Sequence, residues 1–243
     1  MIELKTILIL FSVVLVFLGS LLWISKNYYK EKKIARLYSC QQESRSDLKI
    51  KASTENKRIV LFGDSRIQDW GEPYFGKNID VINIGIGGGT TGEALCRLDD
   101  TILNIKPEWF IIQLGINDLV AASMMSKNLR LKAETKTLYN LKRIVGKLAS
   151  TSSRVLVLTL VAPISPDILR RLIWGEGIAE AAERLSDALI AELPNTVEVY
   201  DMKKIFFDYN TNAWKTKYSI NALHWNKEAY NALTMEIEKI ISK

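Results

Sequence analysis

A single histidine, His224, and two cysteines, Cys40 and Cys96, are all the Cys/His ligands that the 243 residues contain. An ordinary Cys/His zinc site takes four, so that class of site is excluded. No internal repeat and no low-complexity tract is present. The glycine-rich stretch GIGGGTTG, from Gly85 to Gly92, lacks the lysine followed by Ser or Thr that closes a phosphate-binding P-loop. It also follows the second apolar segment, whereas a dinucleotide fingerprint follows the first. An excess of one sign of charge is small as well. The formal charge is +6, and much of it sits in one basic segment that includes Lys26, Lys30, Lys32, Lys33 and Arg36. Elsewhere both signs are mixed, so nucleic acid is not an expected partner, and attraction to anionic lipid suits the basic segment better.

What the chain does have, near its N-terminus, is an uncharged run, ILILFSVVLVFLGSLLWI, from Ile7 to Ile24. At about 1.5 Å per helical residue it nearly spans a hydrocarbon core of roughly 30 Å. Thr6 and Ser25 extend it, since their hydroxyls can bond back to helix carbonyls. Lys5 gives a weak positive flank of the kind that precedes a secretory signal, but the run is long for one and no A-x-A-like cleavage site follows. A lipoprotein reading through LYSC and Cys40 places the cysteine too far beyond the apolar run. The expected organisation is a membrane anchor over residues 1–25, a polar juxtamembrane linker or frayed helix over 26–56, and one domain over 57–243.

Within that domain RIVLFGD, VINIG, WFIIQLG, RVLVLTLVAP and VEVYD read as strands. Their nearly unbroken Val, Ile and Leu content fits strands covered on both faces of a parallel sheet. Helical stretches fall between and after them, at about 90–105, 126–150, 174–193 and 226–242. The alternation predicts an α/β fold: a three-layer α/β/α sandwich on a central parallel sheet of about five strands, flavodoxin-like, preceded by one transmembrane helix. Cys96 falls in a helical stretch and reads as a small buried residue, and no bond between it and Cys40 can be inferred.

In such a fold, ligands gather at the carboxyl ends of the strands, and the polar residues of interest stand there. Ser65 follows the first strand in FGDSR, although a serine at a helix start is ordinarily its N-cap. The second strand leads into NIGIGGGTT, whose glycines let backbone N–H groups approach an anion. Asn117 and Asp118 follow the third strand in GIND, where turn formation is the ordinary role. His224 precedes the last helix in NALHWNKEAY, with Asn226 as its expected cap.

These four blocks, in this order, resemble those of the SGNH (GDSL-type) hydrolase family, and the second is similar to that of its platelet-activating-factor acetylhydrolase-like branch. The resemblance implies a serine esterase that needs no cofactor or metal. Ser65 would be the nucleophile, and His224 general base and then general acid. An oxyanion hole would be built from the Ser65 and Gly88 N–H groups and the Asn117 side chain. A serine hydroxyl is a weak nucleophile until a base takes its proton, and the tetrahedral intermediate needs donors aimed at its oxygen.

One position departs from the family pattern. Asn221 stands where Asp-x-x-His is expected. An asparagine can accept the Nδ1–H of the histidine but brings no charge, and when flipped it presents NH₂ instead. Three readings follow: a Ser65–His224 dyad oriented by Asn221 or a backbone carbonyl; another carboxylate, Asp201 or Asp208 being nearest in sequence, in the vacant role; or a binding protein that has lost turnover. The expected substrate is an O-acetyl ester on an envelope glycan or a lipid acyl ester, with Arg170, Arg171 and Trp174 as groove residues unless they serve the helix surface and core. The resemblance points to an extracytoplasmic domain, while the basic residues after the anchor point to the cytoplasm. The oligomeric state is not legible.

Overall fold

The computed structural model describes residues 2–40, 56–98, 100–162, 164 and 166–242. Residues 41–55, most of the expected linker beyond Cys40, lie outside the described residues. The chain opens with α1 (Ile2–Arg36), followed by β1 (Lys57–Gly63), α2 (Ser65–Trp70), β2 (Ile79–Asn83), α3 (Thr91–Arg97), α4 (Asp100–Leu103) and β3 (Trp109–Gln113). It continues through α5 (Ile116–Ser123), α6 (Lys127–Ala149), β4 (Arg154–Leu158), α7 (Ile168–Ile173), α8 (Ile178–Glu192) and β5 (Glu198–Tyr200). Last come α9 (Lys203–Phe206), the small pair β6 (Phe207–Asp208) and β7 (Ala213–Trp214), a 3₁₀ turn, and α10 (Lys227–Ile241).

The five main strands form one parallel sheet in the order β2-β1-β3-β4-β5. This is the flavodoxin-like order, and the direction of winding reverses between β1 and β3, which opens a crevice at their carboxyl ends. The side chains alternate as a pleated strand requires. Val60, Phe62, Phe110, Ile112, Val155 and Val157 face one core, closed by α3, α5, α6 and α8. Ile59, Leu61, Trp109, Ile111, Leu156 and Leu158 face the other, closed by α2, α9 and α10. The apolar run after Arg154 yields a shorter strand than its composition suggests. Thr159 N–H still bonds Tyr200 O at 3.0 Å, and the chain then leaves the sheet while staying buried through Ala162. The last long helix before β5 starts at Ile178 rather than near 174, because Gly177 takes a left-handed conformation at φ +82°.

The helix α1 does not end at residue 25. It runs unbroken to Arg36, across the boundary expected between anchor and linker. Every described residue from Leu4 to Lys26 is exposed, and the helix is long and apolar enough to cross a membrane. Ser12 and Ser20 hydroxyls bond back to Leu8 O and Val16 O, which removes their polarity from the helix surface. Beyond Lys26 the same helix packs on the domain. Tyr29 lies against the core, and Leu37 is 5% exposed against Ala121, Ala122 and Ala133. Arg36 makes a two-pronged pair with Glu93, Nε to Oε1 at 2.8 Å and Nη2 to Oε2 at 3.0 Å.

Cys40 and Cys96 are joined by a disulfide, with Cα atoms 5.6 Å apart. This corrects the reading of Cys96 as a small buried apolar residue. The pairing depends on α1 docking beside α3, a contact between segments 56 residues apart that composition does not encode.

Candidate active site

Ser65 sits one residue into α2. The helix is capped by Asp64, whose Oδ1 accepts Arg66 N–H at 2.9 Å. The serine hydroxyl is thereby released from the capping role expected of a serine at a helix start. Gly63 makes the turn possible: a Cβ there would collide with Ile67 and with Gln113 O. As the first helical residue, Ser65 has an N–H that the helix does not need.

His224 Nε2 lies 3.1 Å from Ser65 Oγ, across 159 residues of sequence. His224 Nδ1 lies 3.1 Å from Asn221 Oδ1. The same oxygen accepts Leu223 N–H at 3.0 Å and His224 N–H at 3.2 Å. Those two backbone donors determine the orientation of the amide, since a flipped NH₂ would confront them. With Oδ1 facing Nδ1, that ring nitrogen carries the proton and Nε2 presents its lone pair to Ser65. The other candidates for the orienting role are occupied elsewhere. Asp201 accepts Lys203 N–H and Asp208 accepts Asn210 N–H, each at 2.9 Å.

Burial holds the His224 imidazole below its usual 6.5; the positive charges of Arg66, Arg170 and Lys33 add to this, and Asp69 opposes it. The group is therefore neutral over a wider range than a solvated histidine, as a proton acceptor at neutral pH needs to be.

The glycine loop continues from β2 alongside β1, with Ile86 N–H on Gly63 O at 3.0 Å. Gly88 takes φ +67°, a backbone conformation that favours glycine. Asn117 is 4% exposed, and its Nδ2 donates to Gly89 O at 3.1 Å, leaving one amide hydrogen for another acceptor. Asp118 is not simply a turn former. Its carboxylate accepts Thr91 N–H at 3.0 Å and Thr91 Oγ1–H at 2.6 Å, which ties the end of the glycine loop to the start of α5. Burial pushes Asp118 up to about 7, partly offset by those Thr91 donors.

Arg66 escaped the sequence reading. It is 1% exposed, and its guanidinium bonds Leu223 O at 2.8 Å and Val161 O at 3.0 Å while lying 4.8 Å over the Trp225 ring. It thus links the serine turn, the histidine loop and the segment after β4. The signal available was an arginine directly after the serine, which alone does not distinguish a buried strut from a surface charge. Of the groove candidates, Trp174 is core at 8% exposure. Arg170 pairs with Asp167 at 2.6 Å, and Arg171 bonds Pro166 O at 2.7 Å. Ile164 N–H on Ala222 O at 3.1 Å joins this segment to the histidine loop.

Comparison with known proteins places these features in context. The family model of GDSL-like lipases and acylhydrolases matches residues 55–232. A curated relative, an uncharacterized lipoprotein of Bacillus subtilis (strain 168), is 34% identical over 76 residues, which is 25% of this chain and 31% of that protein. The match therefore spans under a third of the relative's length. Among solved structures, a protein from Streptococcus pneumonia provisionally called a platelet activating factor superposes with a TM-score of 0.60 at 16% identity. The match covers 95% of this chain and 99% of that one. A variant of an acetyl-xylooligosaccharide esterase from Geobacillus Stearmophilus gives a TM-score of 0.52 at 16% identity over 79% and 96% of the two chains. At these identities the structural likeness concerns the fold.

Proposed function

The chain belongs to the GDSL-like lipase/acylhydrolase family, and from that premise we propose that it is a membrane-tethered serine esterase acting outside the cytoplasm. The observation that carries the reading is the line Ser65 Oγ, His224 Nε2, His224 Nδ1, Asn221 Oδ1, with 3.1 Å at each of its two hydrogen bonds. Ser65 attacks the ester carbonyl as His224 takes its proton through Nε2. The tetrahedral oxyanion is met by the N–H groups of Ser65 and Gly88 and by the Asn117 amide. Collapse expels the alcohol, protonated by His224, and leaves an acyl-serine. Water activated by the same imidazole then releases the acid. Asn221 holds the tautomer without supplying charge, so the imidazolium formed midway is stabilised less than a carboxylate would stabilise it.

The ester class is an O-acetyl group on an envelope glycan or a lipid acyl ester. The acetyl-xylooligosaccharide esterase among the structural neighbours supports the first, and the apolar helix α1 suits either. The disulfide supports an extracytoplasmic site, because disulfides persist in oxidising compartments.

The test is hydrolysis of p-nitrophenyl acetate and longer-chain esters by the full chain in neutral detergent. Ser65→Ala and His224→Ala are expected to lower kcat by about 10³-fold or more, and Asn117→Ala by about 10²–10³-fold. Turnover unchanged in the first two variants sinks the assignment. The uncharged Asn221 favours a second reading, a binding protein for an acylated glycan or lipid with impaired turnover. Ligand binding with no labelling of Ser65 by a fluorophosphonate would select it.

A further inference from the structure

The membrane-proximal turns of α1 form part of the active-site rim. Tyr29, Lys33 and Arg36 recur at helical spacing along the face that meets the domain, and all three are at least partly buried. A methyl group built on Gly88 would stand 2.9 Å from Arg36 Nη1 and 4.0 Å from Lys33 Nζ. Both cations therefore lie beside the glycine whose N–H is assigned to the oxyanion hole. Arg36 has its Nε and Nη2 on Glu93, so Nη1 is the edge turned to the loop. Glu93 in turn belongs to the capping box that starts α3, accepting Thr90 N–H at 2.9 Å, while Thr90 Oγ1 donates to Arg36 O at 3.0 Å. The disulfide just beyond closes the same junction. The placement is thus held by an ion pair, a hydrogen bond and a disulfide, and is not that of a loose tether.

Lys33 differs from Arg36 in having no carboxylate within ion-pair distance among the described residues. Its ammonium lies 5.8 Å over the Tyr29 ring, which offsets part of the cost of half-burying the charge, and an anion would offset more. Its neighbours in charge are Arg36 and Lys32 on its own helix and Glu93 opposite, the last already engaged by Arg36. Lys33 also stands about 14 Å along the helix beyond Ile24, at about 1.5 Å per residue. That height is about 6–9 Å beyond the polar layer of a bilayer, which is about 5–8 Å thick on each side, so the phosphate must project from the surface or arrive on a water-soluble ester.

We propose that Lys33 and Arg36 bind an anionic phosphate carried next to the scissile acyl ester, so that the site selects phosphate-bearing esters at the membrane surface over neutral ones. This rests on the esterase reading above and deepens it. A phosphate group is the anion that the bilayer surface presents in quantity, and Lys and Arg together offer it a point charge and a directed N–H.

The experiment compares matched esters with the full chain in neutral detergent: acetylglycerol against acetylglycerol phosphate, and dihexanoylglycerol against dihexanoylglycerol phosphate. In at least one pair, KM is expected to be about tenfold lower for the phosphate member, roughly the effect of one charge-assisted contact. Lys33→Met is expected to bring that ratio close to one and Lys33→Arg to retain it, while the remote exposed Lys147→Met keeps it and controls for net charge. The pair with the higher kcat/KM tells whether the phosphate arrives on a water-soluble ester or on a lipid. Equal KM values within both pairs, or a ratio insensitive to Lys33→Met, overturn the proposal. Should the wild type hydrolyse none of the four and no p-nitrophenyl ester either, the esterase reading fails by itself. Calorimetric binding of the same compounds to wild type and Lys33→Met then decides the phosphate site: affinity for the phosphate members that Lys33→Met abolishes supports it, and none overturns it.

Discussion

Asn221 gathers three hydrogen atoms at one amide oxygen: those of Leu223 N, His224 N and His224 Nδ1. An aspartate oxygen fits the same three donors and adds a charge, so Asn221→Asp changes electrostatics with little change in shape. In serine-protease triads the reverse exchange lowers kcat about 10⁴-fold, partly by selecting the wrong tautomer. Here the backbone donors already select the tautomer, so only the charge contribution remains to be gained. A rise in kcat of about tenfold or more is expected, measured on p-nitrophenyl acetate. The pH profile moves with it. Burial holds His224 below 6.5, and in the proposed mechanism its neutral form is the base, so in the wild type the acid limb of kcat/KM is expected below pH 6.5. A carboxylate at 221 favours the imidazolium and moves that limb upward. An acid limb at or above 6.5 in the wild type contradicts the burial argument. The residues of the candidate site were legible as motifs, but the amide orientation was not, because it depends on donors that appear only when the loop closes on itself.

At the scale of elements, the five main strands could be read because buried parallel strands are written in unbroken aliphatic residues. The β6–β7 pair was not legible: strands of two residues carry no period. What holds the elements into a site was equally hidden. Arg66 reaches Leu223 O and Val161 O, contacts separated by 157 and 95 residues, and neither acceptor has a side-chain signature. Arg66→Met keeps much of the volume and leaves two carbonyls without their donor. Each charged hydrogen bond contributes about 1.5–3 kcal/mol, so a loss of roughly 3 kcal/mol in unfolding free energy is expected from denaturant titration. Because the same contacts hold the loop that carries His224, kcat falls along with stability. A variant that loses stability but keeps the wild-type kcat would mean that the histidine loop is positioned without Arg66.

For the molecule as a whole, α1 is both a helix long and apolar enough to cross a membrane and a structural partner of the domain, so its apolar turns and the domain cannot be treated as separate parts. A chain beginning at residue 54 would lose Leu37, uncover Ala121, Ala122 and Ala133, strip Glu93 of Arg36 and leave Cys96 unpaired. The sequence expectation of a linker over 26–56 followed its polarity. The helical face that packs on the domain is only a few residues wide and mixes Tyr, Lys and Arg. The disulfide also bears on topology. Five basic residues after the apolar run favour a cytoplasmic domain, whereas a disulfide between Cys40 and Cys96 persists outside it. The closed loop spans 56 residues, for which chain entropy gives about 4 kcal/mol as an upper figure and measured bridges typically give about 2–4. Treatment with a reductant, or Cys96→Ser, is therefore expected to lower unfolding free energy by about 2–4 kcal/mol in the full chain. Alkaline phosphatase fused after Lys243 is expected to be active in the same cells, and both cysteines to resist alkylation until reduced. Fluorescence from green fluorescent protein at that position, together with two freely alkylated thiols, would place the domain inside and leave the Cys40–Cys96 bond unformed in the cell.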